Sequence, residues 1–205
     1  MKEIDATNYM LHLEGMDLAG KSTISKIFSE TSNNKWVIND KKLTNSNKIY
    51  DFALKNFKNY DSETLGFLYL ASLLEDIKTF KLNKNIIQDS TLLLKSLNYY
   101  KLVDKNIFLE ERFMDIAKIH PLPNKSFYLT CSMEVRTDRL QKRIRDKSKE
   151  ITKIDRMIID EPKKFIDMEN SLRDLSIQIF NSKVIDSSEM NEFEVVDIIR
   201  KSCFI

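Results

Sequence analysis

The chain has 205 residues, a length that suits one domain with a single core. Hydrophobic residues make up 42% and charged residues 31%, and 33 Lys and Arg against 31 Asp and Glu leave a net charge of +2. That balance argues against disorder and against a nucleic-acid or anionic-membrane partner.

The start, Met1-Lys2-Glu3-Ile4-Asp5, carries acids where a signal peptide needs an apolar stretch, and the longest apolar run, Leu65 to Leu74, is about half of a bilayer span. Two cysteines, Cys131 and Cys203, are too few for a disulfide framework or a cysteine-rich metal site, so a reducing cytoplasm is expected.

Asn8 to Glu14 reads as a first strand, and a helix follows from about Gly20 to Glu30 with Ile24, Ile27 and Phe28 on one face. Trp36 to Ile38 is a short second strand. From about Asp61 to Leu82 a helix opens on Asp-Ser capping chemistry and carries a broad apolar stripe. Asn85 to Gln88 is a third strand ending at Asp89. Helical patterns then run from about Leu92 to Lys118, and Pro121-Leu122-Pro123 marks a loop. Ser126 to Thr130 is a fourth strand, with Ser132 as a cap for a highly charged helical region reaching about Phe180. Lys183 to Asp186 is a fifth strand, and a last helix covers about Asn191 to Cys203.

With no repeat and no Gly/Ser or Pro-rich linker, residues 1–205 are expected to form one domain. The alternation of strand and helix predicts an α/β fold: a parallel sheet of about five strands with helices on both faces. Ligands bind such sheets outside the carboxyl ends of the strands, so the segments after each strand are the ones to question.

One of them carries a complete motif. Gly15-Met16-Asp17-Leu18-Ala19-Gly20-Lys21-Ser22 matches Gly, four residues, Gly-Lys-Ser/Thr, between a predicted strand and a predicted helix. The glycines let consecutive amides turn toward phosphate oxygens, Lys21 supplies a point charge, and Ser22 a hydroxyl ligand for Mg²⁺. A chance match somewhere in such a chain is on the order of 1%. A guanine-reading Asn/Thr-Lys-x-Asp segment is missing, since Asn124-Lys125-Ser126-Phe127 lacks the acid, and motor-type ATPases need more chain. A small-molecule kinase remains.

Leu13-Glu14-Gly15-Met16-Asp17-Leu18-Ala19-Gly20-Lys21-Ser22-Thr23 resembles the thymidylate kinase family, whose loop reads Phe-Glu-Gly-x-Asp-Gly-Ala-Gly-Lys-Ser-Thr. Tyr128-Leu129 followed by Arg136 to Arg145 resembles that family's strand, helix and arginine-bearing lid, here about 139–155. Ile154-Asp155-Arg156-Met157 with Phe165 and Arg173 resembles a later helix, and Val184-Ile185-Asp186 its last strand.

The resemblance implies a P-loop kinase that moves the γ-phosphoryl group of ATP, with Mg²⁺, to a nucleoside monophosphate. It implies ATP binding by residues 15–23 and Arg139, and catalytic roles for Lys21, Asp89, Arg143 and Arg145. Mg²⁺ would be held by Ser22 and Asp89, and the acceptor by Asp17 and Arg156, with Lys41, Lys42 and Ser90 standing at the positions of the family's other acceptor-binding residues. It also implies a homodimer, through the helix near Leu65 to Leu74.

The acceptor side departs from the family's pattern. Ser90 stands where the family has an Arg after Asp89, Asp40-Lys41-Lys42-Leu43 replaces Arg-Glu-Pro, and Thr130 replaces an Asp. An unphosphorylated nucleoside or another hydroxyl compound is therefore the alternative acceptor, and a non-catalytic ATP-binding module the competing class. His12 and His120 are expected to be structural. Tyr99 and Tyr100 are expected to pack in the core rather than stack on a base.

Overall fold

In the computed structural model, which describes residues 8–32, 36–44, 46–146 and 150–203, the first strand is buried at every position. This strand, β1 (Met10–Glu14), is apolar at Met10, Leu11 and Leu13, as a strand covered on both faces must be. It is followed by α1 (Lys21–Thr31), β2 (Trp36–Lys41), α2 (Lys48–Asn56), a 3₁₀ turn (Phe57–Asn59), α3 (Ser62–Thr79) and β3 (Asn85–Thr91). Then come α4 (Leu92–Leu102), α5 (Ile107–Ala117), β4 (Lys125–Thr130), α6 (Met133–Asp146), α7 (Lys153–Asp160), α8 (Pro162–Phe180), β5 (Lys183–Asp186) and α9 (Glu192–Cys203). The five strands form one parallel sheet in the order β2-β3-β1-β4-β5, the α/β architecture expected from the alternation.

The differences from the sequence reading are local. β2 extends to Lys41 and β3 to Thr91 because the two strands pair in register well past Ile38 and Gln88. Helix α2 went unpredicted. Its start is fixed by Asn47, whose side chain accepts from the Tyr50 amide and donates to the Ser72 carbonyl of α3. The charged helical region from Ser132 to Phe180 resolves into three helices, α6, α7 and α8. A capping box between Thr152 and Asp155 starts α7, and Pro162, which has no amide hydrogen to donate, opens α8 at its first position. Three residues of the expected lid, 147–149, lie outside the described residues. Asp61 caps α3 as expected by accepting from the Thr64 amide, and Ser132 accepts from the Val135 amide.

Contacts divide the chain into two units. One takes the chain up to His12 and from β2 through Asn124; the other runs from Leu13 through α1 and from Lys125 onward. In the first, α2 packs on α3 and α4 on α5 beside the β2–β3 pair, around Tyr50, Leu73, Ile86, Ile87, Leu93, Tyr100, Leu109 and Phe113. In the second, α1 packs on α9 and α8 on β4 and α7, around Phe28, Phe127, Leu129, Leu140, Phe165, Leu172 and Ile199. No helix among the described residues is long and apolar enough to cross a membrane.

Candidate functional site

The motif segment forms the turn between β1 and α1. Gly15 has φ 153°, and a Cβ there would run into the Leu129 carbonyl oxygen, so no other residue fits without moving β4. Gly20 sits at the N-cap of α1 with φ 96° and offers no side chain to its first turn, which also lacks acids. No side chain caps this first turn, and the helix dipole favours an anion there. Lys21 folds back over the loop, its Nζ donating to the carbonyls of Gly15 at 2.7 Å and Met16 at 3.0 Å. Glu14 is fully buried and accepts from the Gly15 amide at 3.0 Å. Ser22 and Thr23 are exposed at the start of α1. An exposed hydroxyl beside a phosphate cradle suits Mg²⁺, which keeps much of its water and takes its remaining oxygens from a few side chains and from phosphates.

Helix α6 lies against the outside of this loop. Arg139 donates from Nη1 to the Leu18 carbonyl at 2.8 Å, and the Cys131 thiol reaches the same carbonyl at 3.8 Å. Burial pushes the Cys131 thiol above its ordinary pKa. Arg136, one turn before Arg139, is completely buried. It donates to the Asp17 carbonyl at 2.6 Å and to the Cys131 carbonyl at 3.3 Å, and pairs through Nη2 with the Glu169 carboxylate of α8. Thr130, which stands where the resemblance has an Asp, donates its hydroxyl to the same carboxylate oxygen at 2.9 Å. Tyr128 donates to the Glu169 carbonyl, and burial pushes its phenol far above the ordinary value. Arg143 pairs at 3.0 Å with the fully buried Asp155 of α7. Arg145 is exposed and stands 3.3 Å from Asp146, and Arg156 is exposed on α7.

The first unit has its own arrangement at the carboxyl ends of β2 and β3. Asp40 pairs in register with Asp89, but the next pair is Lys41 with Thr91, so Ser90 is an extra residue in β3. Both Ser90 (φ 65°) and Lys41 (φ 60°) take a left-handed conformation at this break in register. Gln88 secures the bulge by donating to the Ser90 carbonyl at 2.7 Å. Asp89 and Ser90 are buried, and Asp40 is exposed.

Asp76 on α3 is also buried, and its carboxylate accepts from the Leu43 amide and from the Thr44 amide and hydroxyl, tying the segment after β2 to α3. Lys42 is paired with Asp51 at 2.7 Å and lies over the Tyr50 ring, while Lys41 is 3.8 Å from Asp40. Burial, then Asp40, Tyr69 and Asp51, hold the Tyr50 phenol well above its ordinary value. Tyr100 is a core residue stacked on Phe113, with its hydroxyl donating to Ser62, whereas Tyr99 is exposed. His12 and His120 are both buried.

The structure puts Arg139 beside the loop, while the sequence reading did not single out Arg136 or name Glu169, Asp76, Asp51 and Gln88, whose hydrogen bonds and ion pairs shape these segments. Asp76 had a readable signal, since it interrupts an apolar stripe between Leu73 and Ile77. The partnership of Arg136 with Glu169 spans 33 positions and leaves no local pattern.

The sequence matches no protein-family model and no curated protein. Solved structures match over nearly the whole chain. A thymidylate kinase from Candida albicans shares 16% identity at a TM-score of 0.61, covering 96% of this chain and 91% of its own. A thymidylate kinase from Ehrlichia chaffeensis shares 15% at 0.61, covering 95% and 99%. A deoxyadenosine kinase from M. mycoides with bound dATP shares 19% at 0.61, covering 95% and 98%. At these identities the likeness establishes the fold, which is the P-loop kinase fold of these enzymes.

Proposed function

We propose that this chain is an ATP-dependent phosphotransferase acting on a nucleoside or nucleoside monophosphate. The observation that carries the reading is the glycine turn into an uncapped α1, with Lys21 held over it by two loop carbonyls. In this reading residues 15–23 and Arg139 hold ATP, with Lys21 neutralising the outer phosphates as the terminal group departs. Ser22 would hold Mg²⁺, which would supply charge neutralisation beside the phosphates. Asp89, buried at the end of β3, would orient the acceptor hydroxyl or accept its proton, and Arg143 and Arg145 would meet the transferring group. Asp17, Ser90 and Arg156 would bind the acceptor.

The two acceptors differ in what they demand. A monophosphate needs cations, for which Lys41 and Lys42 are the candidates, and each of these already faces a carboxylate. Ser90, in the bulge, brings no charge. The geometry thus favours the unphosphorylated nucleoside, whose hydroxyl and base need hydrogen-bonding groups rather than a phosphate clamp. A homodimer belongs to the same proposal, with Phe67 and Leu74 exposed along α3 as its contact; sedimentation at micromolar concentration checks it. A cytoplasmic location goes with an ATP-consuming role and two free thiols.

The test is ADP release from MgATP with a panel of nucleosides and their monophosphates, using Lys21→Ala as the blank. Faster turnover with nucleosides supports the favoured reading, and preference for a monophosphate restores the first acceptor expected from the sequence. Tight ATP binding with no turnover on any acceptor would move the chain to the non-catalytic class.

A further inference from the structure

Arg136 heads the fully buried side chains by volume, and a guanidinium out of water costs several kcal/mol unless its donors are met. It is met, and by an unusual set. Two of its partners are backbone carbonyls, at Asp17 and Cys131, and the third is Glu169. The Phe165 ring lies 5.2 Å beneath the guanidinium carbon.

We infer that Arg136 is a positioning residue that sets the conformation of the phosphate loop from behind, with Glu169 fixing the arginine and Arg139 acting beside it on the next carbonyl. The inference rests on the nucleotide-binding reading of that loop. In a trans peptide the carbonyl and the following N–H point in opposite directions, and no cis peptide is present among the described residues. Drawing the Asp17 carbonyl toward α6 therefore turns the Leu18 N–H away from α6. Arg139 then takes the Leu18 carbonyl, which orients the Ala19 N–H, the donor that closes the loop's turn onto the Met16 carbonyl at 3.4 Å. Between these two fixed peptides Leu18 is held at φ 65°, a conformation that a leucine avoids without outside restraint. A motif that permits a cradle is thus locked into one by two arginines a helical turn apart. Thr130 and Glu169 complete the lock from β4 and α8.

Arg136→Met alone would strand a buried carboxylate, so three other variants of the full chain carry the test. Arg136→Lys keeps the charge but offers its donors from one nitrogen instead of the fork of Nε, Nη1 and Nη2; Arg136→Met with Glu169→Met removes the pair together; Glu169→Gln keeps an oxygen for Arg136 and Thr130. Melting temperature and dissociation constants for MgADP and inorganic tripolyphosphate are measured for each. Tripolyphosphate has no base or sugar and reports on the loop alone.

The expected result is about tenfold weaker binding of both ligands to folded Arg136→Lys and to the double variant, with Glu169→Gln within about threefold of wild type. Wild-type affinity in folded Arg136→Lys overturns the inference, as does a fall in melting temperature with no change in affinity. Should the double variant fail to fold, Arg136→Lys decides alone. A wild-type chain that binds neither ligand sinks both this inference and the kinase reading. Weakened binding in Lys21→Ala beside unchanged binding in Arg136→Lys sinks only this one.

Discussion

Around the phosphate loop, cations face backbone carbonyls and a buried carboxylate. Lys21 sits on Gly15 and Met16, Arg139 on Leu18, and Arg136 on Asp17, Cys131 and Glu169. At the carboxyl ends of β2 and β3 the pattern is reversed. There the acids Asp40 and Asp89 stand in register, Asp76 holds the following segment by its amides, and the two lysines are already matched by Asp40 and Asp51. One region is built to receive negative charge and the other has none to spare for it. Under the phosphotransferase proposal, that contrast fits an anionic substrate at the first region and a neutral one at the second.

The contrast is broken most severely at Lys21. Lys21→Ala is expected to lower kcat/KM by about 10³-fold, a loss of about 4 kcal/mol of transition-state stabilisation, while the melting temperature holds because the side chain is only half-buried. ADP release and calorimetry check both halves of that statement.

A smaller effect separates the two units by acid. In the first unit burial, against the opposing hydrogen bond to the Pro121 carbonyl and with a smaller push from His12, lowers His120 to about 4 from an ordinary 6.5. The folded chain therefore binds fewer protons than the unfolded chain between these values, and stability falls as pH drops from about 6.5 toward 4. The contribution is complete above pH 6.5 and amounts to about 3 kcal/mol. Urea midpoints measured across this window should slope in the wild type and flatten in His120→Gln.

The smallest effect sharpens the assignment of substrates. Asp51→Asn removes the carboxylate from Lys42 and is expected to improve binding of a nucleoside monophosphate by a fewfold, about 1 kcal/mol at most, because the pair is partly exposed. Titration with a monophosphate and its nucleoside in parallel reads the difference, and equal gains for both would remove Lys42 from the acceptor site.

The parts of this molecule legible in the sequence are those in which chemistry dictates residue type at fixed spacing. Gly15 is irreplaceable because of a neighbouring carbonyl, and Gly20 because of its φ, so the motif announces itself. The buried strands also read directly, as runs of Leu and Ile between turn residues. What stayed hidden depends on partners far along the chain: Glu169 for Arg136, Leu43 for Asp76, Ser72 for Asn47. The β3 bulge was hidden too, because Asp89-Ser90-Thr91 looks like a strand end until its register against β2 is known. Tyr100 packs on Phe113 as expected, whereas Tyr99 is left partly in solvent, its hydroxyl accepting from that of Ser62 on α3 at 3.5 Å.

Cys131 turns the loop's lock into a clock. Its thiol is buried under the Leu18 carbonyl and held in the protonated form by burial, while Cys203 near the end of α9 is half-buried. A thiol reagent at neutral pH should label Cys203 first, and Cys131 only when α6 lifts from the loop. The rate of that second labelling is then a direct count of opening events. Its slowing by bound nucleotide would give the free energy linking ligand to loop without any turnover assay.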